Sequence, residues 1–322
     1  MKAVFQQTYG GSDVLVHGDL PPPSIGRHQV LVEVYASSIN PRDWLIRSGK
    51  YQLQFLVPAF PLVLGSDISG VVAAVGPGVT RFKPGDPVFG MKNPAQGLGA
   101  HAELVAVNEK SLVRKPDNMD FDAAGGLPLC ALTAWQALVD IAGIQRGKRV
   151  LVIGASGGVG TFAVQISKAL GAVVTGVCSA ANQALVKSLG ADLTIDYKTE
   201  DFRKNGAVYD IVFDTIGRES LARCSGILVP GGVYVSTVPA PGNFVAAFTS
   251  TLRHAVSKSG KRCAVVMVRP ERTGLEAIAA LVQKGQLKTV VDSVFPLHEA
   301  QKAHDLSRSK RARGKVILHI KG

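Results

Sequence analysis

Apolar positions along this chain follow two different rhythms. Up to about residue 120 they alternate with polar ones or gather in short runs, as in VLVEVYA, GVVAAV and ELVAV, separated by PPPSIG, GPGV and KPGD. Period-2 spacing bounded by Gly and Pro predicts short β-strands. Around Phe121 the spacing becomes helical in FDAAGGLPLCALTAWQALVDIAGI. From Val150 onward, apolar strands alternate with helices: VLVIG, TFAVQISKALGA, VVTGVC, ANQALVKSLGA, LTIDY, YDIVFDTI, RESLARCSGIL, GGVYVSTV and CAVVMV. Such alternation predicts a parallel sheet with helices on both faces and ligands beyond the carboxyl ends of the strands. After Pro270 come a helix (LEAIAALVQKG), a strand-like VVDSVF, a helix from His298 and a last strand, KVILHI. These are too few for a third domain and are expected to return to the amino-terminal part. Segments 45–62 and 240–262 read as loops. The expected architecture is α/β in two domains: a β-rich one over 1–122 and 269–322, and a doubly wound parallel-sheet one over 123–268.

Composition agrees with two cores. At 322 residues, 46% of them hydrophobic and 19% charged, the chain exceeds one ordinary core and lacks the signature of disorder. Cys130, Cys178, Cys224 and Cys263 are scattered, with no CxxC pair, so neither a zinc knuckle nor a disulfide framework is supported. Reduced thiols in an intracellular protein follow. The amino terminus enters a strand-like pattern with no signal or transit peptide ahead of it, and no apolar run reaches eighteen residues. A cytoplasmic protein without a transmembrane segment is expected.

The formal charge of +12 changes the picture less than its size suggests. Lys258, Lys261 and Arg262 form one basic knot; Arg308, Lys310, Arg311, Arg313 and Lys315 form another. A polyanionic ligand, an anionic membrane or nucleic acid could use them, or they are a solvated surface. Aromatics are 6% of residues and none alternates with the basic clusters as base-stacking platforms would, so no nucleic-acid partner is expected. No amphipathic anchor is evident, which leaves peripheral membrane contact secondary.

The strongest local signal is LVIGASGGVG, residues 151–160. A buried strand gives way to a turn with Gly154, Gly157, Gly158 and Gly160, and a helix follows. That context is a dinucleotide fingerprint: missing Cβ atoms let a pyrophosphate lie against backbone, and the helix amino terminus offers free N–H groups. Ala155, Ser156 and Val159 complete the turn. An NAD site usually carries Asp or Glu about twenty residues further on, for the ribose 2′-hydroxyl. Between Asp140 and Asp192 there is no acidic residue, and the second strand ends in Cys178-Ser179-Ala180-Ala181-Asn182. Ser179 and Asn182, with Lys187, Tyr197 and Lys198 nearby in sequence, leave room for a 2′-phosphate, so NADPH is the expected cofactor.

These residues and several others resemble a known family. Gly147-Lys148, Leu151, the run Ala155 to Gly160, Gln165 and Lys168 are similar to the quinone oxidoreductase/ζ-crystallin signature of the medium-chain dehydrogenase/reductases. SSINPRDWLIRSGKY, LGSDISGVVAAVGPGV, FKPGDPVFG, LTAWQAL and ARGKVIL extend the likeness over the whole chain. The resemblance implies a GroES-like catalytic domain and a Rossmann cofactor domain. It further implies a homodimer formed across the CAVVMV strand, with a tetramer as the other arrangement.

Departures from the wider superfamily narrow the chemistry. Zinc alcohol dehydrogenases carry Cys where this chain has Asn40 and Gly-His-Glu where it has Gly65-Ser66-Asp67. Asn and Ser are poor zinc ligands, so no metal is expected, and the resemblance points to hydride addition to a quinone or an α,β-unsaturated carbonyl. By resemblance, Asn40 contacts the substrate oxygen or cofactor ribose, and Tyr51 stacks on or positions the substrate, with solvent as proton source. The resemblance also implies that Thr133 faces the nicotinamide and that Ile216, Gly217 and Val238 border the ribose and nicotinamide. It further implies that Val265, Val266 and Met267 line the ring through main-chain groups and that Lys315 reaches the adenine-side phosphate. Relatives often place Lys or Arg at the position of Asn182. Asp43 is expected to tie its loop together, and the isolated His101 to be structural. The rival function is an NADPH-bound RNA-binding or peripheral-membrane protein with little catalytic activity.

Overall fold

A computed structural model describes residues 1–93, 97–256 and 260–321, so Lys258 of the first basic knot lies outside the described residues. The chain divides into two units, one of Met1–Leu129, Arg269–Lys284 and Lys288–Gly322, the other of Cys130–Val268 and Gly285–Leu287.

In the first unit the alternation of QVLVEVYASSI becomes the strand Gln29–Ile39, which sinks Val30, Val32, Val34 and Ala36 completely. It lies inside a seven-stranded sheet of order Val291–Pro296, Lys315–His319, Gln29–Ile39, Asp67–Val75, Pro87–Met91 and Leu112–Arg114, with Leu104–Asn108 also paired to Gln29–Ile39. The carboxyl-terminal strand is antiparallel to the long one, with Val316 opposite Ile39 and Leu318 opposite Ser37. Beyond Ala36 the long strand is buried on both faces, so Ser37, Ser38 and then Asn40 are carried into the interior. A buried aliphatic cluster of Val30, Val32, Val34, Ile68, Val72, Val88, Val105 and Leu112 holds the sheet. Lys2–Gln6 pairs with Val16–Asp19 and Leu62–Val63 in a smaller antiparallel sheet.

The second unit is an all-parallel sheet of six strands, ordered Leu193–Asp196, Val173–Cys178, Arg149–Ile153, Tyr209–Asp214, Leu228–Ser236 and Arg262–Val265. Helices Gly158–Ala169, Gln183–Ser188 and Leu221–Cys224 connect successive strands. Continuous apolar strands are what a sheet covered on both faces demands: Val150, Leu151, Val152, Val212 and Phe213 are wholly buried.

Three segments differ from the sequence reading. FDAAGGLPLCALTAWQALVDIAGI is not one helix but Phe121–Gly125, Pro128–Trp135 and a π-helical turn, Gln136–Ile141, because Pro128 cannot continue the first helix. Residues 240–262 contain a sixteen-residue helix, Pro241–Val256, where a loop was expected. Among its described side chains Phe244, Val245 and Phe248 are exposed while Asn243 and Ser250 are buried and Ala246 is packed against the core, so its buried face carries small and polar residues instead of the apolar stripe by which helices are recognised. The strand expected from CAVVMV stops at Val265.

Candidate functional site

In the second unit the glycine turn closes the strand Arg149–Ile153 and opens the helix Gly158–Ala169. Gly154 has φ +80°, in the region that disfavours side chains. The turn is pinned by Gly154 and Ala155 N–H groups on the Val177 carbonyl, at 3.1 and 3.0 Å. A Cβ on Gly160 would lie 2.1 Å from the Gly154 oxygen, so helix and strand can approach this closely only with glycine there. Gly157, the residue before the helix, provides no side-chain cap. The orphan N–H groups of the first turn are thus left to water or an anion.

The neighbouring strand ends complete this cradle. Gly154 packs against Thr215 and Ile216, and Gly217 against Val238, so the structure brings four of the expected positions together at the carboxyl ends of adjacent strands. What organises them is Asp214, which the sequence reading passed over. This fully buried carboxylate accepts the N–H groups of Ile216 (2.9 Å), Gly217 (2.8 Å) and Glu219 (3.0 Å) and the Tyr234 hydroxyl (2.9 Å). Burial, then the charge of Asp214, pushes the Tyr234 phenol far up, so it stays a donor. An aspartate closing an apolar strand, YDIVFD, was the available signal.

Asn182 reaches back to the glycine turn: its Nδ2 donates to Ser156 Oγ at 3.0 Å, while its Oδ1 is buried without a partner. Ser179 is half-buried, and Tyr197, 56% exposed, stands beside the same strand end through its N–H on the Cys178 carbonyl. Lys187 and Lys198 are exposed. One carboxylate enters this neighbourhood from outside the acid-free window: Asp196 pairs in register with Cys178, and its Oδ1 accepts the Lys198 N–H at 3.1 Å. Thr133 is buried on Pro128–Trp135. Val265 is half-buried, Met267 is 43% exposed, and the Val266 N–H is taken by the Ser236 carbonyl.

In the first unit the long strand delivers Asn40 to the start of helix Pro41–Arg47, where its backbone N–H donates to Asp43 Oδ2 at 2.7 Å. Its side chain joins a buried polar network. Asn40 Nδ2 donates to Asp67 Oδ2 at 2.8 Å, and Lys315 Nζ donates to Asn40 Oδ1 at 2.7 Å and stands 3.5 Å from Asp67 Oδ2. Asp67 also accepts the Ser38 hydroxyl and, at 2.6 Å, the Leu129 N–H. Asn40, Asp67 and Lys315 are 1%, 0% and 2% exposed. The Val316–Ile39 pairing thus carries Lys315, expected at a phosphate, into this buried polar network.

Asp43 is wholly buried, and desolvation raises its carboxyl, with His101 and Arg42 opposing the rise. His101, equally buried, is held near the Ser38 carbonyl at 3.3 Å and pushed down by desolvation, which keeps it a neutral core residue at pH 7. Tyr51 packs beside the apolar cluster that contains Ile46, Leu62 and Leu64.

Among the described residues no group of three or more His, Cys, Asp or Glu is placed to hold a metal. At Asn40 and Ser66 a zinc ion does not fit: the amide oxygen already takes an ammonium, and Ser66 Oγ takes the Arg42 guanidinium. No described helix is long and apolar enough to cross a membrane.

Residues 26–117 match the alcohol dehydrogenase GroES-like domain, and residues 189–318 match a domain described as zinc-binding dehydrogenase. The chain is 35% identical over 328 residues to the chloroplast envelope quinone oxidoreductase homolog of Arabidopsis thaliana, covering 99% of this chain and 98% of that protein. It is 33% identical over 333 residues to 2-methylene-furan-3-one reductase of Solanum lycopersicum, covering 99% and 79%. The solved quinone oxidoreductase from Coxiella burnetii superposes with a TM-score of 0.90 at 30% identity, covering 100% and 99% of the two chains.

Proposed function

This chain belongs to the quinone oxidoreductase family of the medium-chain dehydrogenase/reductases and is an oxidoreductase that uses a nicotinamide cofactor, and from that premise we propose that it is a zinc-independent, NADPH-dependent reductase of quinones or α,β-unsaturated carbonyls. The observation that carries the reading is the glycine turn, whose Gly160 admits no Cβ and whose helix start has no side-chain cap. In this reading the second unit is the cofactor domain and the first the substrate domain. Ala155 to Gly160 receive the pyrophosphate on backbone N–H groups. Ser179, Asn182 and Tyr197 receive the 2′-phosphate, favoured by the exposed Lys187 and Lys198 and opposed by Asp196. Ile216, Val238, Thr133, Val265 and Met267 border the ribose and nicotinamide.

The bound cofactor supplies a hydride. The chain's own task is to orient the acceptor and stabilise the negative charge that collects on its oxygen, which falls to Asn40, with Tyr51 alongside the substrate. Zinc independence is supported by the engagement of Asn40 and Ser66 in other contacts. The quinone and enone classes are those in the names of the similar proteins. The chain works as a cytoplasmic enzyme, its four free cysteines all buried, and as a homodimer across the edge strand Arg262–Val265. An RNA- or membrane-binding role with little activity is not favoured beside relatives named for their reductase activity.

Fluorescence titration with NADPH and NADH, followed by cofactor oxidation with 9,10-phenanthrenequinone and with a 2-alkenal, tests the proposal. Tighter binding of NADPH and turnover of either acceptor are expected. Binding without turnover of any acceptor would overturn the enzymatic reading, and preference for NADH would overturn the assignment at Ser179 and Asn182.

A further inference from the structure

Two basic side chains lie wholly inside the first unit, on helices that pack against each other. Arg47 ends helix Pro41–Arg47; it is 1% exposed, and its Nε and Nη1 have no hydrogen-bond partner. His304, on helix Ala300–Arg308, is 0% exposed, and neither of its ring nitrogens has one. Its ring stands edge-on to that of His101, with centres 5.8 Å apart. His101 is equally buried, with Nε2 3.3 Å from the Ser38 carbonyl and Nδ1 unpartnered.

The geometry points to an acid-sensitive latch: neutral His304 seats helix Ala300–Arg308 in the first unit, and a proton on its ring unseats it. The latch belongs to the fold and does not depend on the proposed reaction. A neutral imidazole leaves one buried N–H unpaired; an imidazolium leaves two and adds a buried positive charge near Arg47. Burial is the main cause that holds the His304 ring well below its usual basicity, and His101 and Arg47, neither of them acidic, add to it. His101 is also pushed down by burial, with Asp43 and Asp67 opposing. Around Arg47 stand Asp305 and Asp13, both exposed, and Arg308 of like sign. Asp43 works the other way, because burial raises its carboxyl and lets the folded protein take up a proton there.

Both rings thus titrate below the unfolded value of about 6.5. Beneath that pH the opened chain binds more protons than the closed one, so the closed form weakens as pH falls. The helix is the crossover between the paired strands Val291–Pro296 and Lys315–His319, so unseating it loosens that end of the seven-stranded sheet.

Hydrogen exchange followed by mass spectrometry, between pH 7 and 5, tests the latch on the full chain. After correction for the intrinsic pH dependence of exchange, opening of 300–308 linked to one proton should grow about tenfold per pH unit below about pH 6. His304→Leu removes the buried N–H and the titration together. It should match or exceed wild type in Tm at pH 7, keep 300–308 protected at pH 5, and take up about one proton fewer on unfolding there. His304→Gln, polar but without a titrating ring, should lose the same acid response and serves where the leucine variant does not fold. Wild-type protein whose 300–308 segment stays equally protected from pH 7 to 5 would overturn the proposal. So would a folded His304 variant that keeps the wild-type acid response.

Discussion

Asp214→Asn exchanges one acceptor oxygen for a donor in a buried carboxylate that holds four hydrogen-bond donors. The new amide oxygen has its best place facing Ile216 and Gly217, whose N–H groups lie 2.9 and 2.8 Å from Oδ1. Its NH2 group must then face the Glu219 N–H, 3.0 Å from the present Oδ2, and the Tyr234 hydroxyl, 2.9 Å away. The hydroxyl can rotate and accept; the backbone N–H cannot. One buried donor is left unpaired, at a cost of about 1–3 kcal/mol. The two bonds that survive lose their charged acceptor, which weakens each by about 1 kcal/mol. Removing a buried charge offsets part of this, so a net loss of about 2–3 kcal/mol is expected. Urea unfolding of wild type, Asp214→Asn, Tyr234→Phe and the double variant reads the loss directly. The double variant should fall short of additivity, by about 1 kcal/mol, because the two residues share a hydrogen bond. NADPH affinity should fall as well, since the same carboxylate shapes the turn that carries Ile216 and Gly217. If Asp214→Asn unfolds within about 0.5 kcal/mol of wild type and binds NADPH unchanged, Asp214 is not the organiser of this turn.

Other substitutions probe other steps. Gly160→Ala puts a Cβ 2.1 Å from the Gly154 oxygen, and the strain should weaken cofactor binding by about 10–100-fold while the far-ultraviolet spectrum stays native; an unchanged Kd would show that the turn has room to relax. Ser179→Asp places a carboxylate against the 2′-phosphate and should raise the Kd of NADPH by about 100-fold with little change for NADH; equal losses for both cofactors would put the phosphate elsewhere. Lys92, 3% exposed with its Nζ on the Ala106 carbonyl, is pushed down to about 8 by burial. Its folded pKa lies below its unfolded one, so the unfolded chain binds the extra proton between about pH 8 and 10.5, and stability rises with pH across that window. Lys92→Met should therefore stabilise the protein at pH 7 by about 2–3 kcal/mol, a gain that closes as pH approaches about 10.5; a gain independent of pH would contradict the buried-charge account.

What the sequence made legible was local. The glycine turn, the alternation of strands and helices and the period-2 spacing of Gln29–Ile39 all depend on neighbours along the chain. Where periodicity is absent or altered, the reading failed. Helix Pro241–Val256 begins in PGNF, which reads as a turn, and exposes Phe244, Val245 and Phe248. The turn at Gln136–Ile141 is π-helical, outside the 3.6-residue period by which helices are sought. Asp196 escaped because the search for a ribose-binding acid followed sequence distance, whereas sheet register sets it beside Cys178. The Asn40 network was hidden for the same reason. Asn40 and Lys315 are 275 residues apart, and only the pairing of the last strand with the long one brings them together.

The central claim is direct hydride transfer without a metal, and deuterium tracing tests it most directly. The chelator-treated enzyme would be given a 2-alkenal with NADPH carrying deuterium at C4 of the nicotinamide, on each face in turn. One face should deliver its deuterium to the β-carbon of the saturated product, with a primary isotope effect when hydride transfer limits the rate and no response to added zinc. Product without deuterium from either face, or turnover that returns only with zinc, would contradict the account.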